Sequence, residues 1–265
     1  MQHSVLDYTF AVGKIRALER FLIKSEVFVQ ALEAEPSEAL RLFSEADLYS
    51  DELLRVKDSR QLEDVLSRQQ IKLKQLMQQL LLDKPLLALV DSTDSGKLLE
   101  SLRSYCSPFL KDYLKHAIDM QNIKTFLRLY LLKEPQERLE RLVISGGFIP
   151  RDDFLALYQK DIAVFLRRLE YIQKHQETID YAVFLRQPLE KLMQENSFLA
   201  LEKAINDFLI RILKPAKYLV FGPEPILAYY FAKTNEIDLM RMIILAKLND
   251  SALDLAQARL SEVYA

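Results

Sequence analysis

Apolar residues return at intervals of three and four along almost the whole chain, and glycine hardly interrupts them. Only five glycines occur in 265 residues. A β-sandwich or barrel needs a turn roughly every 8–12 residues, marked by glycine and its companions, and this chain cannot supply them. Leu, Ala, Glu, Gln, Lys and Arg are abundant, and each loses little conformational freedom in a helix. The expected fold class is therefore all-α. Half the residues are hydrophobic and 28% are charged, a balance suited to a folded core with a solvated surface. The length suffices for one large or two ordinary domains.

Phe10, Ile15, Leu18 and Leu22 predict an opening helix with one apolar face. Pro36, with Ser37 and Glu38 behind it, starts a short helix through Phe43. Ser50 is a plausible N-cap in "DLYSDELL". A long helix follows from about Gln61 to Leu82 and is broken or re-aimed by Pro85. "DSTDSG", Asp91 to Gly96, reads as a loop and an internal boundary. Ser107-Pro108 opens a helix to about Lys133, and Pro135 opens the next. "SGGFIP", Ser145 to Pro150, is a turn, after which Asp152 and Asp153 suit a helix's first turn. Long helices are expected to about His175, around Pro188 to Met193, and from Ser197 to Leu213. A short helix lies within Ser251 to Tyr264.

Three segments resemble one another: "KIRALERFLI", "NIKTFLRLYL" and "NEIDLMRMII". Each carries an Ile near its start and an Arg further on, at Arg20, Arg128 and Arg241. A period of roughly 110 residues is too long for tetratricopeptide or armadillo units. It suggests two or three copies of a small helical bundle, with 1–95 and 96–215 as repeats and 216–265 as a C-terminal helical element.

Several chemistries find no support. The net charge is −2 and no Lys/Arg block stands out, so nucleic-acid binding lacks its electrostatic footprint. Cys106 is the only cysteine, which excludes an intrachain disulfide and fits a reducing compartment. "MQHSVLDYTF" lacks the basic start and apolar core of a signal peptide. No apolar run approaches the roughly 20 residues that span a bilayer; "LLLDKPLLALV" is interrupted by Asp83, Lys84 and Pro85. His3, His116 and His175 stand far apart and read as surface or partly buried side chains, not zinc ligands. "DSTDSGKL" has Asp91 where a phosphate loop needs Gly and Leu98 where it needs Ser or Thr. A Gly-x-Ser-x-Gly elbow is absent. Cys106 before Ser107-Pro108 could be a thiolate at a helix start, but a lone Cys more often packs as a small hydrophobe. No cofactor or metal is expected.

The stretch "FGPEPILAYYFAKTNEIDLMRMIILAKL" is different. Pro223 and Pro225 are tolerated in a helix's first turn, where the N–H groups have no intrahelical partner. Glu224 then sits at the positive end of the helix dipole. Ile237, Met240, Ile244 and Leu248 form an apolar stripe, and Asp238 and Arg241 are spaced to pair. Local physics thus predicts a helix start followed by an amphipathic helix.

The same stretch resembles the C-terminal signature of the C-subunit family of archaeal/vacuolar-type (V/A-type) rotary ATPases, whose eukaryotic relative is the d-subunit. The matching residues are Gly222, Glu224 and Pro225, then Tyr229 and Tyr230, then Glu236, Ile237 and Arg241, then Lys247, and finally Arg259, Leu260 and Tyr264. "IDMQNIKTFLR" is similar to the family's internal element through Asp119, Asn122, Ile123, Lys124 and Arg128. The resemblance covers about Tyr105 to Tyr264 and is only suggestive before that, in "YTFAVGKIRALERFLI". Family members are usually longer.

The resemblance implies a funnel of similar helical bundles with approximate threefold symmetry. It implies a non-catalytic, peripheral protein on the cytoplasmic face of a membrane, between the D/F-type central shaft and the proteolipid c-ring, with no nucleic-acid or small-molecule substrate. Its structural or partner-interface candidates are Asp119, Asn122, Lys124, Arg128, Glu224, Tyr229, Glu236, Arg241, Lys247, Arg259 and Tyr264. The alternatives are an unrelated helical scaffold or regulatory module, and an all-helical enzyme with a dispersed site.

Overall fold

A computed structural model describes residues 4–46, 51–91, 107–174, 177–249 and 253–265. His3, Ser50, Cys106, His175 and residues 92–96 of the expected loop lie outside the described residues. The described chain is all-α except for one short hairpin. Its helices are α1 (Thr9–Glu19), α2 (Ser25–Glu33), α3 (Pro36–Ala46), α4 (Ser59–Leu80), α5 (Lys84–Asp91), α6 (Pro108–Leu131), α7 (Gln136–Leu142), α8 (Arg151–Leu157) and α9 (Ile162–Arg168). Strands β1 (Ile172–Lys174) and β2 (Glu177–Ile179) follow, then α10 (Ala182–Glu195), α11 (Leu199–Leu213), α12 (Glu224–Leu248) and α13 (Leu253–Arg259). Two compact units result: Met1–Asp91 with Asn206–Ala265, and Ser92–Ile205. Residues 216–265 thus share a unit with the first 91 residues.

The first unit is organised on α12, which packs against α1, α2, α3, α4 and α13. The chain enters α12 through Gly222, whose φ of +90° is a conformation other residues rarely adopt. Pro223 is the N-cap and Glu224 and Pro225 fill the first turn, as helix-start chemistry requires. The helix is not the amphipathic one its spacing predicts. Buried positions include Ile226, Leu227, Ala228 and Tyr229 in succession, and later Leu239, Met240, Ile243, Ile244, Ala246 and Lys247. A helix that buries consecutive residues is covered on more than one side. The expected stripe is one part of a helix buried over most of its surface, with Asp238 left exposed.

Two other expectations change. α1 buries Ala11, Val12 and Ile15 but leaves Phe10 80% exposed, so Phe10 belongs to the outer face. It ends at Glu19, and Leu22 is buried in the segment beyond it.

In the Ser92–Ile205 unit, Ser107 caps α6 by accepting from the Leu110 N–H at 3.3 Å, with Pro108 opening the helix. Phe126 of α6 anchors an aromatic cluster: it stacks on Phe165 at 4.1 Å and meets Tyr158 edge-on at 5.5 Å. The long helices expected up to His175 are instead two short ones, α8 and α9, followed by the antiparallel pair β1–β2, in register Ile172 with Ile179. Pro188 lies inside α10, and Asn196, at φ 51°, closes that helix in the left-handed conformation.

Candidate functional site

The clearest constellation sits where α6 meets the turn between α7 and α8. Asp119 and Asn122 are three apart and so project from one side of α6. Asn122 grips one backbone unit at both ends: its Nδ2 donates to the Ile144 carbonyl at 2.8 Å, and its Oδ1 accepts from the Ile144 N–H at 2.9 Å. Asp119 accepts from the Phe148 N–H at 3.0 Å, the Ile149 N–H at 3.1 Å and the Tyr181 hydroxyl at 2.8 Å. Gly147 makes this approach possible, since a Cβ there would stand 2.0 Å from Asp119 Oδ1. Both side chains are fully buried and replace the hydrogen bonds that an irregular turn cannot make with itself.

Burial pushes the Asp119 carboxyl up to about 7, outweighing its three donors and the nearby Arg168 guanidinium. His116, one turn earlier on α6, lies 2.7 Å from the Tyr181 hydroxyl through Nδ1. Burial, and secondarily Lys174, lower His116 to about 4. The imidazole, read from sequence as surface or partly buried, is buried. Further along α6, Lys124 is half-buried, and Arg128 is an exposed side chain that pairs with Glu202 at 2.9 Å and stacks over Phe198 at 5.2 Å.

In the other unit the candidates lie mainly along α12. Glu224 is half-buried, its carboxylate folded back over Gly222. Tyr229 is buried, while the neighbouring Tyr230 hydroxyl donates to the Val90 carbonyl at 3.0 Å. Glu236 has no exposed surface. Its Oε1 accepts from the Ile23 N–H at 3.0 Å, and its Oε2 pairs with Lys233 at 3.0 Å, itself buried. Arg241 pairs with Asp238, as its spacing predicts, and reaches Glu63 of α4 at 3.2 Å. Burial raises the Asp238 carboxyl, opposed by Arg241.

Lys247 is buried and donates to the Leu32 carbonyl at 2.9 Å and to the Ala34 carbonyl. These carbonyls end α2, where a helix leaves acceptors unpaired and favours a cation. Burial lowers the Lys247 ammonium. Arg259 is exposed in the last turn of α13. Tyr264 is buried beneath Lys217, whose Nζ stands 4.7 Å from its ring centre, and burial raises its phenol.

These side chains do not converge on a common cleft within either unit: Asp119 and Asn122 fasten the 144–149 turn, while Glu236 and Lys247 fasten separate joints along α12. A wide-mouthed cleft of about 460 Å³, lined by Tyr130, Lys133, Glu134, Gln136, Tyr158 and Gln159, contains none of them. Among the described residues, no cluster of three or more His, Cys, Asp or Glu could hold a metal ion. Sequence reasoning missed Tyr181, Gly147 and several long-range clasps. Arg16 donates to the carbonyls of Ala216 and Leu219 at 2.7 and 2.6 Å. Glu262 fastens the C-terminal tail to Arg211 at 2.7 Å and Lys214 at 3.1 Å. The available signal was weak: the two glycines of "SGGFIP" marked a turn without saying what approaches it.

The family model described as ATP synthase (C/AC39) subunit matches residues 95–257, which include α6 with Asp119 and Asn122 and the whole of α12. The chain belongs to this family. Over 157 residues it is 29% identical to the C-subunit of the V-type sodium ATPase of Enterococcus hirae, covering 59% of this chain and 45% of that protein. Over 182 residues it is 26% identical to the C-subunit of the A-type ATP synthase of Thermoplasma acidophilum, covering 66% of this chain and 48% of that protein. The chain spans about half the length of these curated relatives in the family. The clamp at Asp119 and Asn122 and the buried Glu236 and Lys247 therefore lie inside the family's matched region.

Proposed function

We propose that this chain is a non-catalytic coupling subunit of a V/A-type rotary ATPase, placed between the D/F-type central shaft and the membrane proteolipid ring. The family match over residues 95–257 carries the reading. The engagement of the family-like charges supports it. Asp119, Asn122, Glu236 and Lys247 face inward and tie helices or turns together, as a body under torque requires. Close-packed helical interiors resist compression and transmit strain. Lys124, Arg128, Glu224 and Arg259 are half-buried or exposed, and we assign the partner contacts to them before the buried group. The reading places the protein peripherally, on the cytoplasmic face; among the described residues, no helix is long and apolar enough to cross a membrane. It also takes sequence segments 1–95 and 96–215 as helical repeats and 216–265 as a C-terminal helical element, in a funnel with approximate threefold symmetry.

Co-purification tests the proposal. Tagged chain, mixed with the shaft subunits and with the detergent-solubilised proteolipid ring from the same cells, should retain both and should hydrolyse no ATP alone. Retention of neither would overturn the coupling role in favour of an unrelated scaffold. Nucleotide hydrolysis by the purified chain would favour an enzyme.

A further inference from the structure

Asp119, Tyr181 and His116 form a continuous hydrogen-bonded line inside the Ser92–Ile205 unit. Asp119 has no exposed surface, whereas His116 keeps 6%. The Tyr181 hydroxyl stands 2.8 Å from Asp119 Oδ2 and 2.7 Å from His116 Nδ1. It carries one proton and donates to one neighbour at a time. With Asp119 ionised, Tyr181 donates to the carboxylate and His116 presents Nδ1–H to the phenol oxygen. With Asp119 protonated on Oδ2, the acid donates to the phenol oxygen, Tyr181 donates to Nδ1, and the imidazole carries its proton on Nε2. The same three side chains satisfy both states without moving their heavy atoms.

We propose that His116 and Tyr181 form a proton relay linking the buried Asp119 to solvent, so that the carboxyl clasping the 144–149 turn is charged or neutral according to pH. A proton from water binds His116 Nε2. The Nδ1 proton passes to the Tyr181 oxygen, and the phenolic proton passes to Asp119 Oδ2. The net change is one proton gained by the carboxylate; imidazole and phenol end neutral, with the histidine tautomer switched from Nδ1–H to Nε2–H.

The surrounding charges fit these roles. On α6 itself Asp112 favours a cationic imidazole, and Lys115 Nζ lies 5.1 Å from the centre of the Phe148 ring of the clasped turn. From β1, Lys174 opposes the cation while pairing with Asp112 at 2.9 Å. From α9, Arg168 favours the ionised carboxylate and is held by Asp153 at 2.7 Å. Burial dominates at both ends, raising Asp119 to about 7 and lowering His116 to about 4. The imidazole is thus a transient carrier and the carboxyl stores the proton. Protonation of Oδ2 weakens the acceptor that Phe148 N–H uses and leaves Oδ1 to Ile149. The turn therefore loosens at Phe148 first.

The test is a pH titration of the full chain from pH 5 to 8.5, by NMR of carboxyl-labelled aspartate and ring-labelled histidine, with Asp119→Asn assigning the resonance. One aspartate should titrate near pH 7. The His116 nitrogens should inflect at the same pH by a change of tautomer, without the ring becoming cationic. In Tyr181→Phe the His116 inflection near pH 7 should vanish. The relay is overturned if every aspartate titrates below about pH 5, or if His116 in the wild type shows no inflection near pH 7. It is equally overturned if the inflection survives in Tyr181→Phe. Should Tyr181→Phe fail to fold, the wild-type titration decides alone.

Discussion

Glu236 offers the sharpest test of whether the charges of α12 act inside the protein. It has no exposed surface and serves two buried partners, the Ile23 N–H at 3.0 Å and the Lys233 ammonium at 3.0 Å. Glu236→Ala leaves the buried Lys233 without this partner, a loss of roughly 3–5 kcal/mol for a broken buried pair. It also removes the acceptor of a buried backbone donor, a loss of roughly 1–3 kcal/mol. The combined cost of roughly 4–8 kcal/mol rivals the whole stability of an ordinary domain. Lys233→Met should be nearly as damaging, because it leaves the buried carboxylate without this cation. The double variant Lys233→Met/Glu236→Gln should recover to within about 2 kcal/mol of wild type. Its amide oxygen still accepts from Ile23, and methionine fills the lysine's space with no charge left to solvate. Urea unfolding followed by helical circular dichroism measures these proteins, and Glu236→Gln alone, added to the set, closes a double-mutant cycle with Lys233→Met. If Glu236→Ala costs less than about 1 kcal/mol, or the double variant is no better than the singles, the buried pair does not hold this joint.

Two further outcomes concern the α6 joint. Gly147→Ala should cost about 3 kcal/mol in a thermal or urea melt, because the new Cβ would stand 2.0 Å from Asp119 Oδ1, and the carboxylate is held in place by three donors shared between its two oxygens. Gly13→Ala, with nothing within 4 Å, should instead gain about 0.5–1 kcal/mol. Stability against pH should show two opposed slopes. Asp119, raised from 3.8 to about 7, binds a proton in the folded state that the unfolded state releases, so its contribution is lost as pH rises across that window. His116, lowered from 6.5 to about 4, does the reverse, and its contribution is lost as pH falls. At about 1.4 kcal/mol per pH unit each, the two nearly cancel between about pH 4 and 6.5. Urea titrations at pH 4.5, 5.5 and 6.5 should show stability falling with pH in His116→Leu and rising in Asp119→Asn; parallel profiles in the two variants would contradict these assignments.

What could be read in advance was local. Pro223 and Glu224 announce a helix start because the rules for the first turn involve only neighbours, and Asp238 finds Arg241 because three residues is a helix's own reach. Asp119 and Asn122 stood out only through the family resemblance, and their partners are backbone groups of Ile144, Phe148 and Ile149, which no side-chain pattern announces. Local reading failed at Phe10, whose helical spacing was right and whose face was wrong, since spacing cannot say which side of a helix meets the core. It failed at 172–179 because strands of three residues, rich in Gln, Lys and Glu, are too short to show a period of two. The largest misreading, of α12 as half-solvated, has the most general cause. A charged residue in a helix is assigned to water unless its compensation is visible, and here, beyond the local Lys233–Glu236 pair, the partners come from distant segments: Ile23 for Glu236, and Leu32 and Ala34 for Lys247. Burying such charges is costly without those partners and tolerable with them. The polar positions of α12 therefore hold the helix in one register against α1 and α2, because sliding it would leave charges unpaired inside the core.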